Sequence, residues 1–214
     1  MLIGIVQARM SSARLPGKVL LPLHGKPVLQ WVVDAARESK LIDEVVVATS
    51  NVSSDVKIKD YCYANGITWT AGHLNDVLSR FYDTALLYRP AHIVRLPADC
   101  PYRVPQIIDD TIKFHLRGDY DYTTNFINRG FDTAEIGDPM GMRMNEGYNV
   151  EVFKYGTLLR ACKLAETPYD REHVTPWMQR LDNIGLFTDY LPPDMKLSID
   201  TIDDYERLKL HFPA

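Results

Sequence analysis

The chain has 214 residues, of which 46% are hydrophobic and 24% are charged, and this composition is typical of a globular protein with one sizeable core. Its formal net charge of −4 at pH 7, without any block rich in lysine and arginine, argues against a nucleic-acid-binding protein. No stretch approaches the roughly 20 apolar residues that a membrane-spanning helix requires.

The start of the chain and its cysteines indicate the compartment. Met1 leads directly into an apolar run, without the charged region and cleavage site of a signal peptide. Cys62, Cys100 and Cys162 are far apart and form no C-x-x-C pair, which is typical of reduced thiols rather than of a disulfide or zinc site. These features predict a cytoplasmic protein with neither a membrane nor a nucleic acid as partner.

Predicted strands and helices alternate through the first half of the sequence. Short apolar runs indicate strands over residues 2–6, 45–49, 67–70 and 93–96. Apolar residues at helical spacing indicate helices over residues 28–38, 55–64, 76–87 and 107–115. This alternation predicts an α/β fold in three layers, with a mostly parallel central sheet between two layers of helices.

The second half is less regular. We predict strands over residues 150–153, 184–187 and 196–199, and helices over residues 156–165, 173–181 and 202–210. Before them, residues 126–148 contain four glycines and Met140, Met142 and Met144 without a clear period. Such an excursion would form a dimer surface, cover a substrate or be a poorly ordered insertion. No repeat or linker divides the chain, so we expect one domain over residues 1–214.

The most informative segment is the loop of residues 8–18, which follows the first predicted strand. It carries three fixed positive charges among small residues, namely Arg9, Arg14 and Lys18 with Ser11, Ser12 and Gly17. Positive charges and free backbone N–H groups at the end of a strand suit a polyphosphate, and a solvated basic loop is the alternative. The segment has neither the GxxxxGK[ST] nor the GxGxxG pattern, so the two commonest phosphate loops are excluded.

Two aspartates occupy equivalent places at the ends of predicted strands. Asp99 follows strand 93–96, and Asp200 closes strand 196–199. Taken singly, Asp99 is typical of a turn and Asp200 of a helix N-cap. Because the carboxyl ends of parallel strands meet at one edge of a sheet, both aspartates would face the loop of residues 8–18 there. Two carboxylates opposite a cationic loop suit Mg²⁺ bound to a nucleoside triphosphate.

Several motifs are similar to those of one enzyme family. Residues 5–20, IVQARMSSARLPGKVL, resemble the strand and loop of cytidylyltransferases, roughly QARMSSTRLPGKVL, and only Ala13 departs, where a threonine hydroxyl is lost. Four further segments keep the family's order, namely LPADCP (96–101), NVEVF (149–153), REHVTP (171–176) and SIDT (198–201). The sequence most resembles the spore-coat-polysaccharide branch of that family, whose relatives include the CMP-Kdo and CMP-acylneuraminate synthetases.

This resemblance implies a nucleotidyltransferase fold. It also implies an enzyme that transfers CMP from CTP to a small acidic or sugar acceptor and releases pyrophosphate. The product would serve surface polysaccharide or glycoconjugate biosynthesis. It implies a homodimer, Mg²⁺ as the cofactor, and Asp99 and Asp200 as its ligands. Arg14 and Lys18 would complete the catalytic set by neutralising the departing pyrophosphate. The nucleotide-binding positions would be Ala8, Arg9, Met10, Ser11, Ser12, Arg14 and Lys18.

The acceptor and base sites are less defined. The resemblance places Glu151, Arg171 and His173 on the acceptor side, whereas the residue types alone also allow a solvated ion pair for Arg171 and a structural hydrogen bond for His173. Arg80 matches a family motif too, but it lies one helical turn from Asp76 and is also expected to pair with it. CMP-Kdo synthetases carry a glutamine at the position of Pro97, so cytosine as the base rests on the whole-family resemblance.

Two other classes of protein compete with this interpretation. A glycosyltransferase of similar fold would carry an Asp-x-Asp metal motif after the central strand, where this chain has Asp99 alone. Asp119 and Asp121 have that spacing, but they stand at the start of a predicted strand, which is the wrong end. A nucleotide-sensing or assembly protein is the non-enzymatic alternative, and it would not need two strand-end acids with a basic loop.

Overall fold

The computed structural model describes residues 1–125, 147–189 and 196–211. Its strands are β1 (Leu2–Gln7), β2 (Pro22–Leu23), β3 (Lys26–Pro27), β4 (Glu44–Ser50), β5 (Thr68–Gly72), β6 (His92–Pro97), β7 (Tyr122–Thr124), β8 (Glu151–Lys154) and β9 (Ile184–Leu186). Its helices are α1 (Val28–Glu38), α2 (Val56–Ala64), α3 (Val77–Tyr88), α4 (Pro105–Gly118), α5 (Tyr155–Leu164), α6 (Pro168–His173) and α7 (Ile202–His211). Short 3₁₀ turns cover Lys18–Leu20, Ser53–Asp55 and Met178–Arg180.

One sheet of seven strands forms the centre of the described fold, in the order β5-β4-β1-β6-β8-β7-β9. β5, β4, β1 and β6 are parallel neighbours, β8 runs antiparallel to β6 and β7, and β9 is parallel to β7. β1 lies between β4 and β6, so Ile5 pairs with Val46 on one side and with Arg95 on the other. The predicted α/β fold with a mostly parallel central sheet is confirmed.

Helices cover both faces of this sheet. Alternate residues of a strand point to opposite faces. Leu2 and Val6 of β1 therefore pack in a core with α1, α2 and α4, whereas Ile3 and Ile5 pack in a second core with α3 and α5. Burial on both faces explains why the central strands are continuous apolar runs in the sequence. None of the helices in the described residues is long and apolar enough to cross a membrane.

Most predicted elements are confirmed with small differences at their ends, but the helix over residues 173–181 is wrong. The helix in this region is α6, which starts at a Thr-Pro cap: the hydroxyl of Thr167 accepts from Asp170 N at 3.1 Å, and Pro168 takes the first helical position. Val174 has a φ of +70° and ends α6, and Pro176 follows. Only a single 3₁₀ turn lies in the rest of the predicted span.

The predicted strand over residues 196–199 is also wrong. These residues join no β-ladder, and one backbone hydrogen bond, from Ile199 N to Asp99 O at 2.9 Å, connects them to the end of β6. Leu197 and Ile199 pack instead in a small core with Tyr205 of α7. Of the predicted excursion over residues 126–148, all but the last two residues lie outside the described part of the chain.

A buried histidine of α4, His115, pairs with the partly buried His92 at the start of β6. His115 of α4 is fully buried, with Nε2 3.1 Å from Nδ1 of His92 and Nδ1 2.9 Å from Thr123 Oγ1. Burial, together with the charges of His92 and Lys154, lowers the pKa of His115 from 6.5 to about 4, although Asp119 acts in the opposite direction. Burial also lowers the pKa of His92. Both rings are therefore neutral in the folded protein at pH 7.

This pair predicts an acid-sensitive fold. Because the pKa of His115 is lower in the folded than in the unfolded state, the unfolded chain binds more protons between pH 6.5 and 4, and stability falls as the pH falls through that window. We expect this group to lower the free energy of unfolding by about 2 kcal/mol between pH 7 and pH 5, as measured by urea denaturation.

His115→Asn should lose most of that pH dependence, because asparagine does not titrate. His211→Asn, which changes an exposed histidine at the end of α7, should keep the pH dependence of the wild type. If the free energy of unfolding changed equally with pH in wild type and His115→Asn, the pH dependence would not come from His115.

Candidate active site

A cavity of about 480 Å³ opens at the carboxyl edge of the central strands. Its walls come from the loop after β1, from residues 97–100 after β6, from the start of α3, from the end of α6, and from Ser198 and Asp200 before α7. Open α/β sheets bind ligands at this edge, in the crevice where neighbouring strands connect in opposite directions. β1, between β4 and β6, is that position here.

A buried carboxylate, Asp55, shapes the loop after β1. Its Oδ1 accepts from Met10 N at 2.8 Å, and its Oδ2 accepts from the hydroxyl and N–H of Ser50 at 2.6 and 3.1 Å. The carbonyl oxygen of Met10 accepts from the N–H groups of Ser12 and Gly17 at 3.0 and 2.8 Å, so the loop closes on itself. Gly17 has a φ of +75°, a conformation that favours glycine.

The loop residues expected to bind nucleotide divide into two groups. Met10 and Ser11 are not among the residues that line the cavity. Met10 packs against the hydrophobic core below the loop instead. The others line the cavity, namely Ala8, Arg9, Ser12, Arg14 and Lys18.

Lys18 meets both strand-end aspartates inside this cavity. Its Nζ donates to Asp99 Oδ2 at 2.6 Å, to the carbonyl oxygen of Ile199 at 2.6 Å and to Asp200 Oδ1 at 3.1 Å. Arg14 Nη2 lies 2.8 Å from the same Asp200 oxygen. Burial by itself lowers the pKa of Lys18, but Asp99 and Asp200 raise it above its ordinary value. The structure thus brings together Arg14, Lys18, Asp99 and Asp200 as the sequence predicted.

Asp200 is not the N-cap of α7. The hydroxyl of Thr201 accepts from Asp204 N at 3.2 Å, while Asp204 Oδ2 accepts from the N–H groups of Asp200 and Thr201 at 3.0 Å. These reciprocal bonds form a capping box made by Thr201 and Asp204. The carboxylate of Asp200 faces the other way, toward Lys18, and Lys196 Nζ lies 2.9 Å from its Oδ2. Lys196 and Lys18 together lower the pKa of Asp200, against the effect of burial.

The side chain of Arg80 lines the cavity. It is 2% exposed, and its Nε and Nη1 bond to nothing in the described residues. The expected pair with Asp76 does not form, because Asp76 caps Ser79 N at 2.9 Å and binds Arg171 at 2.6 Å. Burial and, to a lesser extent, the charge of Arg9 lower the pKa of Arg80 to about 10. The sequence could have indicated that Arg80 is buried, because it stands on the otherwise mainly apolar face of α3.

The residues predicted for the acceptor side occupy different places. His173 lines the cavity, and burial lowers its pKa, so its ring is neutral at pH 7. Glu172 beside it pairs with Arg9 at 3.0 Å. Arg171 is held by Asp76 and by the carbonyl oxygens of Cys162 and Ala165, and it is not among the residues that line the cavity. Glu151 is buried behind the cavity wall, where it forms an ion pair with Arg95.

Comparison with known proteins identifies the family. Residues 3–210 match the model of the family described as cytidylyltransferase. The chain belongs to the cytidylyltransferase family. The resemblance carried by its loop and strand-end motifs is thereby confirmed. Members of this family are nucleotidyltransferases, and the protein is an enzyme of that class.

Relatives match over nearly the whole chain. The spore coat polysaccharide biosynthesis protein SpsF of Bacillus subtilis is 32% identical over 209 residues, which cover 96% of this chain and 83% of SpsF. A solved cytidylyltransferase of Leptospira borgpetersenii superposes with a TM-score of 0.85 at 30% identity, covering 100% of this chain and 88% of that one.

Two more distant structures share the fold. CMP:2-keto-3-deoxy-manno-octonic acid synthetase, complexed with CTP, superposes with a TM-score of 0.71 at 17% identity over 98% of this chain and 97% of that chain. Rv0371c of Mycobacterium tuberculosis, in complex with manganese, superposes with a TM-score of 0.66 at 17% identity over 99% of both chains.

The unpaired Arg80 predicts a stability change. Arg80→Met should raise the free energy of unfolding, because methionine keeps the buried stem and removes nitrogens whose burial without partners costs about 1–3 kcal/mol. Urea denaturation measures the difference. Arg117→Met, at an exposed position of α4, is the matched control and should change stability by less than about 0.5 kcal/mol. A variant Arg80→Met that is less stable than wild type would show that the guanidinium supports the fold.

Proposed function

We propose that this enzyme is a Mg²⁺-dependent cytidylyltransferase that transfers CMP from CTP to a sugar or related acid and releases pyrophosphate. One observation carries the proposal: Lys18 Nζ of the basic loop lies 2.6 Å from Asp99 and 3.1 Å from Asp200 in the cavity. The similarity to SpsF supports a product used for surface polysaccharide or a related glycoconjugate. The CTP complex of a synthetase with this fold supports CTP as the nucleotide.

The two carboxylates fit a divalent cation. Oδ2 of Asp99 and Oδ1 of Asp200 converge on one point, where the Lys18 ammonium now provides the positive charge. Mg²⁺ in nucleotide sites is usually bound by one or two carboxylates with phosphate oxygens and water. The manganese complex of Rv0371c supports a divalent metal in this fold. Asp99 and Asp200 would hold the ion, which when bound supplies Lewis-acid stabilisation at the α-phosphate.

The proposed reaction forms a bond between an acceptor oxygen and the α-phosphorus of CTP and breaks the bond from that phosphorus to pyrophosphate. It requires no protein nucleophile, so the residues of the cavity act by positioning and by neutralising charge. Arg14, whose side chain is 65% exposed, can bind two oxygens of the departing pyrophosphate with its planar guanidinium. Lys18 would supply a second positive charge to the phosphate oxygens.

We propose that Arg80 recognises the base. It lies in the cavity wall on the side of β4 and β5, against which α3 packs, and its buried N–H groups lack acceptors among the described residues. Cytosine presents O2 and N3 as neighbouring acceptors on one edge. Gly72 at the end of β5 leaves the room for this side chain, since a Cβ there would lie 2.8 Å from Arg80 Cγ. Arg80 would thus supply the polar contact that Pro97 cannot.

The geometry disfavours the glycosyltransferase alternative. Asp119 and Asp121 are paired with Lys154 at 2.8 and 3.3 Å. They border a separate cavity together with His92 at the start of β6, which is the edge of the sheet opposite to Asp99. The Asp-x-Asp spacing therefore lies away from the loop that would bind a nucleotide.

Nucleotide preference and pyrophosphate release test the proposal. With Mg²⁺ present, we expect CTP to raise the melting temperature more than ATP, GTP or UTP, because a ligand that binds only the folded state stabilises it. Pyrophosphate should then be released in the presence of a panel of sugar acids. Equal shifts from all four nucleotides would contradict the choice of CTP. Sugar transfer from a nucleotide sugar without pyrophosphate release would favour the glycosyltransferase.

A pair of substitutions tests the shared metal site. If Asp99 and Asp200 hold one ion, either change to asparagine should abolish turnover, and the double variant should be hardly worse, because residues that act as a unit are not additive. Pyrophosphate release at saturating Mg²⁺ measures this effect. Asp203→Asn, exposed in the first turn of α7, is the matched control and should stay active. A substantially active Asp200→Asn enzyme would leave Asp99 to act alone.

We further propose a homodimer. Met140, Met142 and Met144 support it, since methionine is frequent at adaptable contact surfaces, and all three lie outside the described residues. Light scattering at working concentration should give twice the mass of the chain. A particle of 24.5 kDa would be the monomer and would contradict the proposal.

A further inference from the structure

Three oxygen atoms surround the ammonium of Lys18. They are Oδ2 of Asp99 and the carbonyl oxygen of Ile199, both at 2.6 Å, and Oδ1 of Asp200 at 3.1 Å. The side chain of Lys18 is only 11% exposed, so this ammonium is bound mainly by the protein. Carboxylate and backbone carbonyl oxygens are also the ligands that hard divalent cations prefer. One point in the cavity therefore suits two different cations.

The charges around this point disfavour a second cation beside Lys18. Arg14 Nη2 lies 2.8 Å from Oδ1 of Asp200, the oxygen that also faces the ammonium. Lys196 Nζ lies 2.9 Å from Oδ2 of the same residue, although it is shared with Asp204. The two carboxylates thus already face three positive charges, and the ammonium of Lys18 would repel a divalent cation at short range. A metal ion and the ammonium are alternative occupants of one place.

The protein alone offers few ligands to a metal ion. Within the described part of the chain, no group of three or more acidic, histidine or cysteine side chains could hold one. Asp99 and Asp200 therefore supply two carboxylates, whereas Mg²⁺ requires octahedral oxygen coordination and in nucleotide sites receives part of it from phosphates. Phosphates would complete the metal site, and they are also groups that attract a lysine ammonium.

The stem of Lys18 allows its ammonium to move within the cavity. Four flexible carbons separate the ammonium from the backbone. Ser12, Ala13 and Arg14 of the same loop line the same cavity, which has a volume of about 480 Å³. Phosphates held by this loop would offer Lys18 new oxygens in exchange for those of the two aspartates. The exchange needs a rotation of one side chain and no movement of the strands.

We propose that Lys18 and a divalent cation exclude each other between Asp99 and Asp200, and that nucleotide phosphates draw Lys18 out of this place, so that the protein binds metal together with nucleotide and not alone. This inference rests on the proposed cytidylyltransferase function and adds the coupling between its two ligands. Lys18 neutralises the two carboxylates before the nucleotide binds and contacts phosphate oxygens afterwards. Because such coupling is reciprocal, the metal ion also tightens the binding of the nucleotide.

Titration of Mn²⁺ into the protein, followed by electron paramagnetic resonance, tests the proposal without turnover. We expect wild type to bind Mn²⁺ weakly without nucleotide. With CTP present and no acceptor, the affinity of the protein for Mn²⁺ should rise tenfold or more, after correction for the Mn²⁺ that CTP binds in solution. Equal affinity with and without CTP would overturn the proposal.

Lys18→Met assigns this coupling to the ammonium. Methionine keeps most of the stem and removes the charge, so the variant should bind Mn²⁺ without nucleotide at least tenfold more tightly than wild type. A lysine that served only to bind phosphate would produce no such gain. Unchanged or weaker Mn²⁺ binding by Lys18→Met would therefore contradict the exclusion.

Two further variants separate exclusion from a general effect of charge. Lys196→Met is the matched control, because it removes a positive charge from the other oxygen of the same Asp200. It should gain less Mn²⁺ affinity than Lys18→Met, and an equal gain would overturn the proposal. Adding Asp99→Asn to Lys18→Met should abolish the gain, since one of the two carboxylates is then neutral. A gain that persisted in this double variant would place the Mn²⁺ elsewhere and overturn the proposal as well.

The stability of Lys18→Met provides an independent measurement. Without the ammonium the two carboxylates repel each other, so a cation that binds between them should stabilise the fold. We expect Mn²⁺ without nucleotide to raise the melting temperature of Lys18→Met more than that of wild type, and equal shifts would contradict this. If Lys18→Met does not fold, Lys18→Gln, which keeps a neutral donor, replaces it in both measurements.

The two proposals fail in different ways. A wild-type protein that binds CTP, and binds Mn²⁺ equally well without it, would keep the proposed function and overturn this inference. A protein without CTP binding would overturn the proposed function, whereas a gain of Mn²⁺ affinity in Lys18→Met would still show the exclusion.

Discussion

The ion pairs of Lys18 with Asp99 and Asp200 connect three parts of the chain that are distant in sequence: the loop after β1, the end of β6 and the segment before α7. Two carboxylates at such short range repel each other unless a cation lies between them. Lys18 is that cation, and its burial is tolerated because the same carboxylates raise its pKa against desolvation. The positions of both aspartates are therefore set before a ligand binds, as a reaction that depends on positioning requires.

That arrangement depends on the capping of α7 by residues other than Asp200. A residue before a helix is usually used to cap it, and a capping carboxylate would face the N–H groups of α7. Here Thr201 and Asp204 satisfy those groups, and the Asp200 side chain turns to Lys18 and Lys196 instead. The sequence allowed both roles for Asp200. The presence of a second capping pair, T-x-x-D from Thr201, was the signal that distinguishes them.

Local patterns predicted the layers of the fold, because strands buried on both faces are apolar runs and helices repeat with their own period. They failed where the conformation depends on distant partners. Val174, a β-branched residue, has a positive φ that its type disfavours. The alternation of Leu197 and Ile199 looked like a strand, but their partners are in a small core with α7. The pairing of Arg95 with Glu151 requires the antiparallel register of β6 and β8, and 56 positions separate them.

Three arginines at or near the cavity, of which Arg80 and Arg103 are buried and Arg95 is partly buried, differ in how far the protein satisfies them. Arg103 donates to the carbonyl oxygens of Asn149 and Pro97, although its Nε lacks a partner, and Arg95 donates to Gln7 and Glu151. In Arg80 both Nε and Nη1 lack a partner among the described residues. A buried guanidinium that is bonded to backbone supports local structure, but one without partners lowers the stability of the ligand-free state. Under the proposed function, the acceptors of a bound base would offset that cost. The proposed function would then couple ligand binding to folding stability through the least satisfied of the three.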